Sequence, residues 1–179
     1  MPHNISLTGR PGIGKTTVCL KVAEALEERG YTVGGVYCPE VREGRRRIGF
    51  DIVDLTSDDR YPLARVGHPG PRIGRYGVFV ENLERAARSI LEALESRDVV
   101  IIDEVGPMEL KSEAFVDAVR EAADHDTPCL FVVHARSNHP LVRELRGGRE
   151  DVILYEVTES NRDELPDTVM ERLIGWLED

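Results

Sequence analysis

Residues 9–16 read Gly-Arg-Pro-Gly-Ile-Gly-Lys-Thr and match the pattern GxxxxGK[ST]. A short apolar run, residues 5–7, precedes this stretch, and residues 17–28 after it carry apolar side chains at helical spacing. A glycine-rich turn between a strand and a helix directs backbone N–H groups toward phosphate oxygens at the helix N-terminus. The sequence therefore predicts an α/β fold with a binding site for a nucleoside triphosphate.

Two side chains of this stretch have separate predicted roles. The Lys15 ammonium can reach the β- and γ-phosphate oxygens, and the Thr16 hydroxyl can bind Mg²⁺. The alternative, a glycine-rich turn before an ordinary helix, is disfavoured because the complete pattern arises by chance in only about one chain in two hundred of this length. We expect nucleotide contacts from Gly9, Arg10, Pro11, Gly12, Ile13, Gly14, Lys15, Thr16 and Thr17.

An acidic pair ends a predicted buried strand. Residues 99–102 form an unbroken apolar run followed by Asp103 and Glu104, which is typical of a parallel strand buried on both faces. Asp103 is placed to bind Mg²⁺ opposite Thr16, and Glu104 is placed to polarise an attacking water. The alternative is that both acids only cap the following turn. Together with Lys15, the two acids are the predicted catalytic residues.

The turn after this strand carries three further residues of interest. We expect Val105 and Gly106 to lie at the nucleotide, because glycine lets the backbone pass close to a ligand. Glu109 is interpreted as an exposed charge at a helix start, with a supporting role beside the two acids as the alternative.

Many phosphoryl-transfer sites add an arginine that neutralises charge developing on the γ-phosphate. Each arginine near the predicted site is also compatible with a solvated surface charge. His134, just after a predicted strand, is interpreted as a structural histidine, with a γ-phosphate sensor as the alternative. The arginine candidates are Arg45, Arg46, Arg47, Arg75, Arg136, Arg143, Arg146 and Arg149.

The rest of the chain alternates strand and helix patterns. We predict one domain, residues 1–179, with a mostly parallel twisted sheet, helices on both faces and an added antiparallel hairpin. The predicted hairpin pairs residues 31–38 with 48–55, and residues 57–77, rich in Gly and Pro, are predicted to be irregular apart from a short strand at 63–66. Helical patterns cover residues 81–96, 112–123 and 165–177, and further strands cover residues 129–133 and 152–157.

Composition disfavours several classes of protein. A net charge of −10 argues against a nucleic-acid surface, which relies on clustered Lys and Arg. The three cysteines lie far apart, which predicts buried reduced thiols rather than disulfides or a zinc site. No signal-peptide pattern or membrane-spanning run is visible, so we expect a cytoplasmic protein without membrane partners. We also expect a monomer that binds no nucleic acid. The lack of Gln beside abundant Arg, Glu and Asp is compatible with a thermophile protein, and a GC-rich genome is the alternative explanation for the preference for Arg over Lys.

Several segments together resemble one family. They are residues 8–17, 40–50, 73–78, 101–109 and 159–162, and they resemble the thermophile nucleoside-triphosphatase family of P-loop NTPases, whose vertebrate relative is called cancer-related nucleoside triphosphatase. The resemblance implies a Mg²⁺-dependent enzyme that hydrolyses ATP, GTP and other nucleoside triphosphates, including CTP and UTP, with loose base preference. It also implies that Asn161 and Arg162 lie near the base, where the Arg162 guanidinium can stack on any base.

Two other functions stay open. A small nucleotide or nucleoside kinase uses the same phosphate-binding stretch with a mobile arginine-rich lid, for which residues 42–47 or 143–149 could serve. A regulatory switch, whose nucleotide state controls a protein partner, would hydrolyse its bound nucleotide slowly. The acidic pair favours hydrolysis, because it sets up water as the nucleophile, whereas a kinase must exclude water.

Overall fold

The structure, a computed structural model, describes residues 2–179. Its helices are α1 (Lys15–Glu28), α2 (Val80–Ser96), α3 (Glu113–Asp124), α4 (Pro140–Arg143) and α5 (Leu165–Leu177). Its strands are β1 (Asn4–Thr8), β2 (Val33–Tyr37), β3 (Glu40–Glu43), β4 (Arg46–Asp54), β5 (Arg60–Val66), β6 (Arg72–Ile73), β7 (Tyr76–Val78), β8 (Val99–Val105), β9 (Cys129–Val133) and β10 (Val152–Glu156).

The strands of the described chain join in one sheet that has two halves. Its order is β10-β1-β9-β8-β2-β4-β5-β7-β6, and β3 pairs with β4 beside this path. The parallel half consists of β10, β1, β9, β8 and β2. The antiparallel extension consists of β3 to β7, residues 40–78, and continues the sheet from β2. The predicted α/β class is therefore observed, with a larger antiparallel part than one hairpin.

Helices cover both faces of the parallel half, as predicted. On one face α1 and α5 pack against a cluster that includes Ile5, Leu7 and Ile101. On the other face α2 and α3 pack against a cluster that includes Ile102 and Phe131. Adjacent residues of β8 thus enter opposite clusters, which is why its sequence is apolar without interruption. Within residues 2–179, every helix is too short or too polar to cross a lipid bilayer.

The predicted antiparallel pairing of residues 31–38 with 48–55 is present, but it is short. β2 and β4 pair over only two positions, Val36 with Asp54 and Tyr37 with Val53. β4 pairs over longer stretches with β5 and with β3, and β3 lies in the segment that the sequence indicated as a polar connection. β3 is mostly exposed, so its side chains carry no alternation of apolar and polar residues.

Residues 57–77 are more regular than the sequence predicts. They hold all of β5 and β6, and β7 begins within them; these strands form a meander with β4. Pro62 lies inside β5, opposite Asp51, and Gly67 and Gly74 supply turns with positive φ. Proline and glycine are signals for loops, so a strand that contains or adjoins them is hidden from sequence patterns.

Candidate functional site

The phosphate-binding stretch connects β1 to α1 at the C-terminal edge of the parallel strands. Gly14 is the residue before α1 and has a φ of 116°, a left-handed conformation that favours glycine. Gly9, with a φ of 150°, lies so close to the segment after β10 that a Cβ atom there would be 2.9 Å from the Val157 carbonyl oxygen. Both positions hold the turn in the shape that opens the N-terminus of α1 toward an anion.

The stretch forms one side of a cavity of about 1160 Å³ at this edge of the sheet. The Lys15 ammonium lies across the turn and donates to the Gly9 carbonyl oxygen at 2.6 Å. A phosphate oxygen is a stronger acceptor for an ammonium than a neutral carbonyl. Of the predicted residues, the cavity is lined by Gly9, Arg10, Pro11, Gly12, Gly14, Lys15, Thr16, Thr17, Asp103 and Glu104.

Asp103 lies at the bottom of the cavity, 4% exposed. Burial raises the pKa of its carboxyl to about 6, and the neighbouring Thr16 hydroxyl and Lys15 ammonium oppose that rise. Its Oδ2 atom is buried without a hydrogen-bond partner among residues 2–179. A carboxylate oxygen without a partner, next to a threonine hydroxyl, is a donor set that suits Mg²⁺. The residues present therefore fit the predicted ion.

Glu104 enters the same cavity because of an irregularity in β8. Adjacent residues of a regular strand point to opposite faces, but the register of β8 against β9 shifts between Asp103 and Val105. This bulge lets both acids line the cavity. The Glu104 carboxylate packs directly on Gly106, where a Cβ atom would collide with Glu104 Oε1. Val105 and Gly106 are themselves buried behind Glu104 rather than on the cavity surface.

Glu109 corrects one interpretation of the sequence. It was expected to be an exposed helix-entry charge, yet it is 4% exposed and lines the cavity. It belongs to a 3₁₀ turn, Glu109–Lys111, that follows β8 and contacts it. Burial raises the pKa of its carboxyl to about 8, and the negative charge of Glu104 adds to the rise. The expectation of an exposed charge is therefore wrong, and the supporting role beside the two acids stays a prediction.

The structure separates the candidate arginines. Arg47, Arg136 and Arg146 line the cavity. Arg149 lies elsewhere, since it donates to both Asp124 and Asp151 at 2.8 Å.

Arg146 holds the loop after β9 in place. Its guanidinium donates to the His134 carbonyl oxygen at 2.7 Å and to the Ser137 carbonyl oxygen at 3.0 Å. His134 lines the cavity, and its Nδ1 accepts from the Arg136 backbone N–H at 3.1 Å. That bond favours a structural histidine that shapes the loop.

Asn161 and Arg162 lie beside the phosphate-binding stretch but outside the cavity. The Asn161 side chain closes its own turn by accepting from the Thr158 N–H at 2.8 Å and donating to the Glu156 carbonyl oxygen at 2.8 Å. Arg162 donates to the Ile13 carbonyl oxygen at 3.3 Å. A second, open cavity of about 410 Å³ lies next to them, lined by Arg10, Ile13 and residues 156–160.

The cavity also has an apolar wall that the sequence analysis did not predict. Phe50 and Leu63 from the antiparallel extension line it, together with Ile73 and Met108. Cys38 lines it as well and is partly exposed, whereas Cys19 and Cys129 are buried as predicted. The alternation in β4 marks Phe50 as apolar, but no pattern signals that it faces a ligand site.

The chain is similar to several known proteins. Residues 4–170 match a family model described as NTPase. A protein of Methanopyrus kandleri named nucleoside-triphosphatase THEP1 is 70% identical over 179 residues, which cover 100% of this chain and 99% of the relative. A protein of the same name from Thermofilum pendens is 50% identical over 167 residues, 91% of each chain.

Two solved structures share the fold. The crystal structure of THEP1 from the hyperthermophile Aquifex aeolicus has a TM-score of 0.81 at 33% identity and covers 95% of this chain and 98% of its own. The solution structure of a human cancer-related nucleoside triphosphatase has a TM-score of 0.77 at 39% identity and covers 94% and 96%. The resemblance given by the sequence segments is thereby confirmed.

Proposed function

The chain belongs to the nucleoside-triphosphatase family, with the P-loop NTPase fold, and is an enzyme of that class; from this premise we propose a Mg²⁺-dependent hydrolase that accepts ATP, GTP, CTP and UTP. One observation carries the proposal: Asp103 and Glu104 enter the same cavity as Lys15 and Thr16. The groups that would bind phosphate and the groups that would activate water therefore line one cavity.

The phosphate-binding stretch holds the triphosphate. Backbone N–H groups at the start of α1 and the Lys15 ammonium bind its oxygens, replacing the Gly9 carbonyl as the lysine's acceptor. Thr16 and Asp103 would hold Mg²⁺, which when bound neutralises charge on the β- and γ-phosphate oxygens. The buried Asp103 Oδ2, without a partner in residues 2–179, supports this assignment.

Glu104 acts as the general base toward water. The water oxygen forms a bond to the γ-phosphorus, the bond from that phosphorus to the β–γ bridging oxygen breaks, and the water proton passes to the Glu104 carboxylate. The products are the nucleoside diphosphate and phosphate. Gly106 holds the carboxylate from behind, and the bulge in β8 aims it into the cavity.

Loose base preference is the second part of the proposal. Asn161 and Arg162 lie next to the open cavity beside the phosphate-binding stretch, and we assign the nucleotide base to that cavity. The Asn161 amide is engaged in its own turn, so it offers little selectivity. A guanidinium that stacks on a ring tolerates every base. We also propose that the enzyme acts on free nucleotides in the cytoplasm as a monomer.

The test is phosphate release from ATP, GTP, CTP and UTP, with and without Mg²⁺, by the wild type and by Glu104→Gln. We expect release from all four with Mg²⁺ and a fall of about 10²- to 10⁴-fold in kcat for the variant. Nucleotide affinity should stay the same, because glutamine preserves the shape of the side chain. Undiminished turnover in the variant would show that Glu104 is not the general base. Equal turnover without Mg²⁺ would show that the reaction does not need the ion.

A further inference from the structure

The cavity is larger than the triphosphate site needs. Ligand pockets for small molecules measure about 300–1,000 Å³, and this cavity of about 1160 Å³ extends past the acids to the antiparallel extension. The bound base is assigned to the other, open cavity, which shares only Arg10 and Glu156 with this one. Space next to the γ-phosphate position is therefore left for a second molecule.

That space has an apolar wall with a flat aromatic side chain. Phe50, Leu63, Ile73 and Met108 line it, and the first three come from the antiparallel extension. Phe50 is held in orientation by an edge-to-face contact with Tyr76, with ring centroids 5.6 Å apart. A water nucleophile needs no such wall, whereas a ring-bearing ligand gains from stacking and burial against it.

The positive charge of Arg47 on this wall is already compensated. The Arg47 guanidinium lies 5.1 Å from the Phe50 ring centroid, donates to the Tyr76 hydroxyl at 2.9 Å and is 3.6 Å from the Glu40 carboxylate. Lys15 lines the same cavity, and its positive charge is assigned to the triphosphate. A wall with a paired cation complements an uncharged ligand better than an anionic one.

We propose that this space binds a nucleoside, whose hydroxyl takes the phosphoryl group in place of water. The inference rests on the proposed function, because it uses the same triphosphate site. The ring packs on Phe50 and the hydroxyl lies toward Glu104. The hydroxyl oxygen bonds to the γ-phosphorus, the bond to the β–γ bridging oxygen breaks with its electron pair staying on the diphosphate, and the hydroxyl proton passes to Glu104. The products are a nucleoside monophosphate and a nucleoside diphosphate.

The experiment is transfer of the terminal phosphate of γ-labelled ATP to adenosine, guanosine, cytidine and uridine, each in excess, with free phosphate measured in the same reactions. We expect label in at least one nucleoside and a matching fall in free phosphate. Phe50→Leu, which removes the ring and keeps apolar volume, should lower transfer by about tenfold or more. Its phosphate release without nucleoside should match the wild type, which also shows that the variant folds.

The matched control is Phe79→Leu. Phe79 directly follows the antiparallel extension, and its ring stacks on that of His68 with ring centroids 3.6 Å apart. Transfer should be unchanged in this variant. Normal phosphate release with all four nucleosides unlabelled would overturn the second site and leave the proposed function standing. Absence of both release and transfer would overturn the proposed function, and the second site with it.

Discussion

Buried acids are treated differently in the two halves of the sheet. In the antiparallel extension, Asp51 is 7% exposed and accepts from Arg60 and Arg65, each at 2.6 Å. In the parallel half, burial raises the pKa of both Asp103 and Glu109, because little positive charge compensates it. A buried carboxylate that is paired with arginine cations, as Asp51 is, stabilises the fold. A buried carboxylate without them is costly and is kept where a ligand supplies the compensation.

The largest expected contrast is between Asp103→Asn and Asp51→Asn. Asp103→Asn should lower kcat by about 10²-fold or more, since it removes the anionic oxygen assigned to Mg²⁺. Its free energy of unfolding without Mg²⁺ should stay equal or rise by about 1–3 kcal/mol at neutral pH, because a buried charge is lost. Phosphate release and urea unfolding measure the two quantities.

Asp51→Asn should behave in the opposite way. It leaves two arginines without their acid, and the free energy of unfolding should fall by about 1–3 kcal/mol, less than for a fully buried pair because both guanidinium groups reach solvent. Phosphate release per folded molecule should stay within about twofold. Similar stability losses in both variants would break the distinction between the halves.

A second contrast concerns glycines. Gly106→Ala places a Cβ atom against Glu104 Oε1 and must push the carboxylate away. A displacement of about 1 Å at a reacting group can cost about 10²-fold, so kcat should fall by about 10- to 100-fold while nucleotide affinity is unchanged. The control is Gly175→Ala in α5, where the described chain leaves open space around a Cβ atom. That change should leave kcat unaltered, and an equal loss in both variants would contradict the positioning role.

These residues also show what a sequence can predict. The positions of the phosphate-binding stretch and of Asp103 are predictable from the sequence because their patterns depend on residues that are neighbours in the chain. The position of Glu104 beside Asp103 depends on a bulge in the pairing of β8 with β9. The burial of Glu109 depends on how the 3₁₀ turn after β8 packs against that strand. The wall at Phe50 depends on a meander that proline and glycine disguise, so no local pattern reveals it.

The variant Glu109→Gln tests, through the pH dependence of the free energy of unfolding, whether the buried Glu109 carboxyl is protonated in the folded protein. The pKa of Glu109 is raised by burial to about 8 in the folded protein, so the folded state holds a proton that the unfolded state releases near pH 4.5. The free energy of unfolding should therefore fall as the pH rises from about 4.5 to 8, by at most about 1.4 kcal/mol per pH unit for one group. Glutamine carries no such proton, and the fall should become shallower. Urea unfolding across this range, without nucleotide or Mg²⁺, measures it.

The control for this prediction is Glu113→Gln. Glu113 is exposed in the first turn of α3, so its substitution should keep the wild-type slope. If Glu109→Gln and Glu113→Gln give the same pH dependence as the wild type, the Glu109 carboxyl is not protonated in the folded protein near neutral pH.

The smallest expected effect compares two tyrosines within the antiparallel extension, both 6% exposed. The Tyr76 hydroxyl accepts from Arg47 at 2.9 Å and from Arg75 at 3.2 Å, so Tyr76→Phe should lower the free energy of unfolding by about 1 kcal/mol. The Tyr61 hydroxyl is buried without a partner among residues 2–179, and burial raises its pKa to about 12.

Tyr61→Phe removes a polar atom that gains nothing in the folded state, and the free energy of unfolding should stay equal or rise by up to about 1 kcal/mol. Phosphate release should be unchanged, because Tyr61 lies outside the residues that line the cavity. If Tyr61→Phe instead lowers both stability and turnover, the antiparallel extension contains an uncompensated polar group with a role in the reaction. The two halves of the sheet would then no longer divide between fold and chemistry.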